Sequence, residues 1–118
     1  ASVDEIRERR AAFATSWADA GRNPETLRFS VMVTGLVGTD EAELRDRVAR
    51  LADWQGSEPA QVLDSLRATG VVGTVDEVAE QLRELEAAGA QRVMLQHLLH
   101  DDIDAVELIG RELIPRVA

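Results

Sequence analysis

The run Gly70-Val71-Val72-Gly73-Thr74-Val75-Asp76-Glu77-Val78, followed by Gly89-Ala90-Gln91-Arg92-Val93-Met94-Leu95-Gln96-His97, constrains this chain more than any other feature. It reads as a turn, a capped helix, a glycine stop and a buried strand. Thr74 and Glu77 have capping-box spacing, in which each side chain satisfies a backbone N–H at the helix start. Val78, Leu82 and Leu85 share one helical face, and Gly89 stands where a left-handed residue closes the helix. Val93 to Leu99 forms the apolar strand, with Gln96, His97 and His100 near its end. A last helix follows, started by Asp101 or Asp102, with Ile103, Val106, Ile109, Leu113 and Val117 as its expected inner stripe and Pro115 near its end.

Upstream, Ser2 and Glu5 predict a capping box for a first helix whose stripe is Val3, Ile6, Phe13 and Trp17, with Arg10 on the same face. Gly21 ends that helix and Asn23-Pro24 marks a turn. Residues Arg28 to Val37 read as a strand, because Phe29, Val31 and Val33 alternate with Ser30, Met32 and Thr34. Gly38-Thr39-Asp40 caps a helix with Leu44, Val48 and Leu51 inward, and Ser57 with Pro59 starts another carrying Val62, Leu63 and Leu66. The expected order is helix, strand, three helices, strand, helix, in a single unit spanning residues 1–118 with no internal boundary. Strands followed by helices are the wiring of a parallel sheet. Two parallel strands leave apolar faces and edges open, which calls for partner strands.

Composition sets the outer limits. The net charge is −9, and all 13 basic residues are arginine. Such acidity opposes binding to nucleic acid or to anionic membranes, since both require a basic face. With no cysteine there is neither a disulfide nor a thiolate metal site. No apolar stretch approaches the roughly 20 residues of a membrane span, so the expected location is cytoplasmic.

The helix–strand–helix ending, together with Gly21-Arg22-Asn23-Pro24-Glu25-Thr26-Leu27-Arg28 ahead of a strand, resembles the C-terminal part of the bacterial luciferase-like monooxygenase family, in particular its deazaflavin-dependent oxidoreductase branch. The resemblance implies an α/β fold: a partial (β/α)8 TIM barrel, roughly its last two βα units, with the helices on the outside. Such barrels take about 250 residues, against 118 here. The expectation is therefore a C-terminal fragment of a hydride-transferring enzyme. The resemblance implies coenzyme F-420 (a deazaflavin) or FMN for the full-length family and no catalytic residue in this part. The chain by itself is expected to bind neither cofactor. Its expected partners are the missing barrel strands, from the rest of the protein or from another copy, and a homo-oligomer. The alternative is a free-standing acidic α/β module that oligomerises without catalysis.

Within a barrel, strand parity selects site residues. Ser30, Met32 and Thr34 on one strand and Met94 and Gln96 on the other form the lumen set, while Val93 and Leu95 face helices. Chemistry sits at the C-terminal strand ends, so Thr34 and Gln96 point into the mouth and His97 and His100 lie on its rim. Gln96 either hydrogen-bonds a flavin ring or substrate, or is tied to loop backbone. Gln81, on a helix away from the mouth, serves as its control. Gly73 and Thr74 open a helix near the usual phosphate loops, although Asp40, Glu41, Asp76 and Glu77 crowd both Gly-Thr helix starts and favour plain caps. The recurrence of Gly-Thr-acidic 35 residues apart reads as repeated capping chemistry rather than a structural repeat.

His97, His100, Asp101 and Asp102 have ligand-capable groups, but helix capping is the favoured reading and no metal is expected. Ser30, Ser57 and Ser65 lack a nucleophile elbow. Phe13, Trp17 and Phe29 are expected in the core, with Trp54 on an outer surface or against a neighbouring chain. The segment 69–118 carries the most concordant signals, so Leu95→Ala should lower unfolding stability by about 2–5 kcal/mol if the side chain is buried, measured by denaturant titration.

Overall fold

The computed structural model describes residues 3–117. The Ser2–Glu5 capping box therefore lies outside the described residues. The order is α1 (Val3–Asp19), a short 3-10 turn (Pro24–Thr26), β1 (Ser30–Gly38), α2 (Glu41–Gln55), α3 (Pro59–Thr69), β2 (Val71–Thr74), α4 (Val75–Ala87), β3 (Arg92–Gln96), α5 (Ile103–Leu108), a π turn (Ile109–Leu113) and α6 (Ile114–Val117). The caps follow the sequence closely. Asn23 caps the 3-10 turn, Asp40 accepts from the Glu43 N–H at the start of α2, and Thr74 with Glu77 forms the capping box of α4. At α3 the cap is Glu58 paired with Gln61, one residue beyond the expected Ser57.

The expectation of two strands is corrected to three. Val71–Thr74 reads locally as the approach to a helix, yet it pairs in parallel with β1, from Gly35 opposite Val71 to Gly38 opposite Thr74. Four residues are too few to show alternation, and only the register with β1 makes them a strand. The other half of β1 pairs in parallel with β3, from Ser30 opposite Arg92 to Thr34 opposite Gln96, so the sheet order is β2-β1-β3.

This order decides where the helices go. Stepping from β1 to β2 and then back across β1 to β3 reverses direction, and right-handed crossovers then place their helices on opposite faces. Neighbouring residues of β1 record this, since alternate side chains leave a strand on opposite sides. Val31, Val33 and Val37 pack with Ile6, Val78, Leu85 and Leu113. Leu36, with Val72, packs instead under α2 and α3 against Leu44, Val48, Leu51, Val62 and Leu66. Helices cover both faces at this end of the sheet, which departs from the expectation of helices on the outside alone. Towards the start of β1 the second face is bare: Met32 is 64% and Met94 45% exposed.

Two further expectations are revised. Phe13 is 51% exposed, touching only the edge of the core through the buried ring of Phe29 at 5.7 Å. Trp17 is half-buried, donating to Thr26 Oγ1 with the Arg22 guanidinium stacked on its ring. Trp54 is exposed, as the sequence suggested. On the last helix Leu113 is buried as expected, but Ile103 and Val106 face solvent and Ala105 is buried in their place. The helix is rotated by its buried cap, Asp102, with which Ala105 and Ile109 share a face. The π turn falls just before Pro115, which has no N–H to continue the α-helical ladder.

Leu95 is only partly buried, whereas Leu36 and Leu51 are each 1% exposed. The most stabilising side chains are therefore not confined to residues 69–118. Leu51→Ala should cost about 2–5 kcal/mol and Leu95→Ala closer to about 1 kcal/mol. Paired urea titrations of the two variants check that ranking.

Candidate functional site

The bare sheet face carries the expected site pair. Thr34 and Gln96 are opposite each other in the β1–β3 register, and Thr34 Oγ1 donates to Gln96 Oε1 at 3.2 Å. Met32 and Met94 lie directly opposite each other two residues earlier on the same face. The parity read from the sequence holds: Ser30, Met32, Met94 and Gln96 are exposed, while Val31 and Val33 are buried. The surface combines polarisable thioethers with a hydroxyl–amide pair, a composition that accepts a flat, partly polar molecule.

Gly73 and Thr74 lie elsewhere. Thr74 pairs with Gly38, four residues along β1 from Thr34, or roughly 13 Å at strand rise. Here the two Gly-Thr turns behave alike. The Thr74 N–H and hydroxyl both donate to Glu77 Oε1, at 3.1 and 2.9 Å. The Thr39 N–H and hydroxyl donate to Glu43 Oε1, at 3.1 and 3.0 Å. Each carboxylate is held below its ordinary range, chiefly by the threonine backbone N–H. Gly73 has φ +153°, and a Cβ there would come within 2.7 Å of Glu77 Cβ, so the close approach of helix to turn requires glycine. These turns border a cleft of about 740 Å³ above the ends of β1 and β2, closed on its far side by Asp104, Glu107, Arg111 and Arg116.

A buried arginine–carboxylate centre, absent from the sequence reading, locks the last loop to α2. Arg47 Nε donates to Asp102 Oδ2 at 3.0 Å, and Arg50 Nη2 reaches the same oxygen at 2.8 Å. Arg47 Nη1 donates to the Val37 carbonyl at 2.9 Å and also to Glu43 Oε1. Asp102 Oδ1 meanwhile accepts from the Ala105 N–H, capping α5. Arg47 and Asp102 are 3% and 8% exposed. One signal was available: Arg47 sits beside Val48 on the stripe from Leu44 to Leu51, where a charged residue calls for a partner. Which partner it finds, 55 residues away, is set by the fold.

Neither histidine ring is hydrogen-bonded to this centre among the described residues, although His100 lines a cavity that Arg50 also lines. His97 is half-buried with both ring nitrogens out of water and without hydrogen-bond partners among the described residues. His100 is exposed. No group of three histidine or carboxylate side chains among the described residues is arranged to hold a metal ion. Gln81 is also not the bystander it was expected to be. Its amide pairs with the backbone of Val72, accepting from the N–H at 3.0 Å and donating to the carbonyl at 2.9 Å.

No protein-family model matches the sequence, and no curated protein matches it either. Solved structures do match its shape. A riboflavin lyase, determined with modified FMN and its substrate riboflavin, superposes with a TM-score of 0.71 at 15% identity over 98% of this chain and 36% of its own. The coenzyme F-420-dependent tetrahydromethanopterin reductase from Methanopyrus kandleri superposes with a TM-score of 0.69 at 16% identity, over 99% of this chain and 43% of its own. The chain thus has a fold found within these larger enzymes and spans less than half the length of either. Among the described residues no helix is long and apolar enough to cross a membrane.

The charge centre makes stability depend on pH. Burial pushes the Asp102 carboxyl up, but hydrogen bonds from Arg47, the Ala105 N–H and Arg50 outweigh it and hold it at about 2, against an ordinary 3.8. A carboxyl lowered by folding stabilises the protein above its unfolded pKa and loses that contribution as pH falls through the folded value. The loss should span the interval from 3.8 down to about 2 and amount to about 2 kcal/mol. Asp102→Asn should flatten this part of the stability–pH curve. Asp102→Ala should cost about 3–5 kcal/mol, because Arg47 stays buried without its counter-charge. Adding Arg47→Met to it should recover part of that loss in thermal unfolding.

Proposed function

We propose that the chain forms the C-terminal part of a luciferase-like, flavin- or deazaflavin-dependent oxidoreductase, contributing the last βα units of a (β/α)8 barrel in the cytoplasm. The observation that carries this reading is the bare face of a parallel sheet, with Thr34 and Gln96 joined at its polar end and Met32 and Met94 beside them. A parallel sheet is ordinarily covered on both faces, so this face is built to be covered. Two findings support a flavin-type cofactor there: the family resemblance of the sequence, and the likeness of fold to a riboflavin lyase and a coenzyme F-420-dependent reductase.

In this reading the cofactor, FMN or coenzyme F-420, supplies the hydride chemistry, and the protein orients it and excludes water. Thr34 holds the Gln96 carbonyl oxygen, leaving the amide nitrogen to donate to a ring carbonyl or to substrate. Met32 and Met94 provide a soft, adaptable floor. The Gly73–Thr74 turn lies away from Thr34 and Gln96, with the Thr74 N–H already engaged by Glu77, so in this reading the cofactor's phosphate is held by strands outside this chain. A single open face buries too little of a flavin to hold it, since cofactor pockets enclose most of their ligand.

Fluorescence titration tests this. The 118-residue chain should show no saturable binding of FMN or coenzyme F-420, and co-expression with an N-terminal barrel portion should create it. In the completed barrel Gln96→Ala should weaken binding about tenfold, the loss of one well-placed hydrogen bond. Gln55→Ala, an exposed position on α2, should leave it unchanged and replaces Gln81 as the control. Tight binding by the chain alone overturns the fragment reading, and equal effects of the two substitutions remove Gln96 from the site.

A further inference from the structure

We propose that the cavity between the C-terminal end of α2 and the loop after β3 binds a planar organic cation stacked on Trp54. Of the two phenylalanines and two tryptophans, Phe13 and Phe29 contact each other and Trp17 carries the Arg22 guanidinium. Trp54 alone has no ring or cation contact among the described residues, and it is 67% exposed. It lines a cavity of about 410 Å³ together with Arg50, Asp53, Leu98, Leu99 and Asp101, a volume that suits a two-ring ligand. Leu98 and Leu99 pack under α2 with Leu51 and give the cavity an apolar base. Both walls belong to this chain and are fastened to each other, since Arg47 and Arg50 of α2 hold Asp102 of the loop at 3.0 and 2.8 Å. The concavity is therefore set by contacts within the chain, unlike the bare sheet face and the strand edges, which further strands of a barrel would cover.

Ring and charge together select the occupant. An indole face attracts flat rings by stacking and cations through its quadrupole, and a flat cation draws on both. The charge of Arg50 is already shared by Asp46 and Asp102. Asp53 and Asp101 are exposed and pair with no cation among the described residues, so the free charge at the cavity is negative. Unpaired carboxylates are common on this acidic chain, and here they set only the sign of the ligand; the free indole and the preformed cavity make the site. A planar carboxylate meets two like charges there, and an aliphatic cation leaves the ring face without a stacking partner.

The proposal does not rest on the cofactor reading, because the named walls of the cavity lie in this chain and no flavin enters the test. The purified 118-residue chain is titrated with three probes: N-methylquinolinium, a planar cation; quinoline-4-carboxylate, a planar anion; and tetraethylammonium, a cation without a ring. Two-dimensional NMR follows the indole N–H of Trp54, with that of Trp17 as internal reference. N-methylquinolinium alone should give a saturable shift, at Trp54 and not at Trp17. Trp54→Ala, at an exposed position and read at the amides of residues 98–101, should weaken binding about tenfold, whereas Trp54→Phe should retain most of it. Asp53→Asn combined with Asp101→Asn should lower affinity about fivefold. Asp53→Lys combined with Asp101→Lys should transfer preference to the quinoline carboxylate, a gain that a merely unfolded variant cannot produce. Equal saturation by the quinoline carboxylate overturns the charge argument, and equally tight binding of tetraethylammonium overturns stacking. The proposal is also overturned if no probe gives a saturable shift, or if the Trp54 indole moves with protein concentration alone as a second copy covers it.

Discussion

The contact on which the arrangement depends is the burial of Arg47 against Asp102. Arg47 leaves the middle of α2 and reaches the Val37 carbonyl at the end of β1, while Asp102 caps the start of α5. One guanidinium thereby joins the first strand, the helix that follows it and the last loop of the chain. Removing two charges from water costs several kcal/mol per ion, and only a nearly complete set of hydrogen bonds offsets this. The pair's value lies in direction more than in net stability, since apolar packing would hold α2 and α5 together without fixing the rotation of either. Asp102 faces inward, so Ala105 follows it and Ile103 is left in water.

The sheet is finished unevenly, and each unfinished part has its own chemistry. The face over Leu36 and Val72 is roofed by α2 and α3, but the roof stops short of Met32 and Met94. At the β2 margin the Gln81 amide bonds the backbone of Val72, whereas β3 pairs only with β1 among the described residues. An uncovered face and an open edge are separate demands. The first asks for something flat and partly polar, the second for backbone.

The helices were legible because helix signals are local. Caps at Asp40 and Thr74 and the inner residues Leu44, Val48, Leu51, Val78 and Leu85 follow from spacing alone. The Thr34–Gln96 face was legible too, since side-chain alternation has a period of two wherever a strand lies. Phe13 was misplaced because periodicity names a stripe without saying how far along it the core extends. The start of the last helix was misjudged at Ile103 and Val106, because a buried aspartate outweighed the larger aliphatic residues in setting its rotation, while Ile109, Leu113 and Val117 pack on the core as expected. The pairing of Gln81 with Val72 was not legible because its partner is the backbone of another element.

Sequence by itself determined the elements with local causes: helices from their caps and apolar spacing, and strand faces from alternation, along with a net charge of −9. Tertiary structure alone decided everything that joins residues distant in the chain. It made Val71–Thr74 a strand, ordered the strands β2-β1-β3, put helices on both faces and brought Arg47 to Asp102. The physical reason is range. Capping and periodicity act within a few residues, while strand register and buried charge pairs depend on which distant segments meet, and many pairings are compatible with the same local pattern.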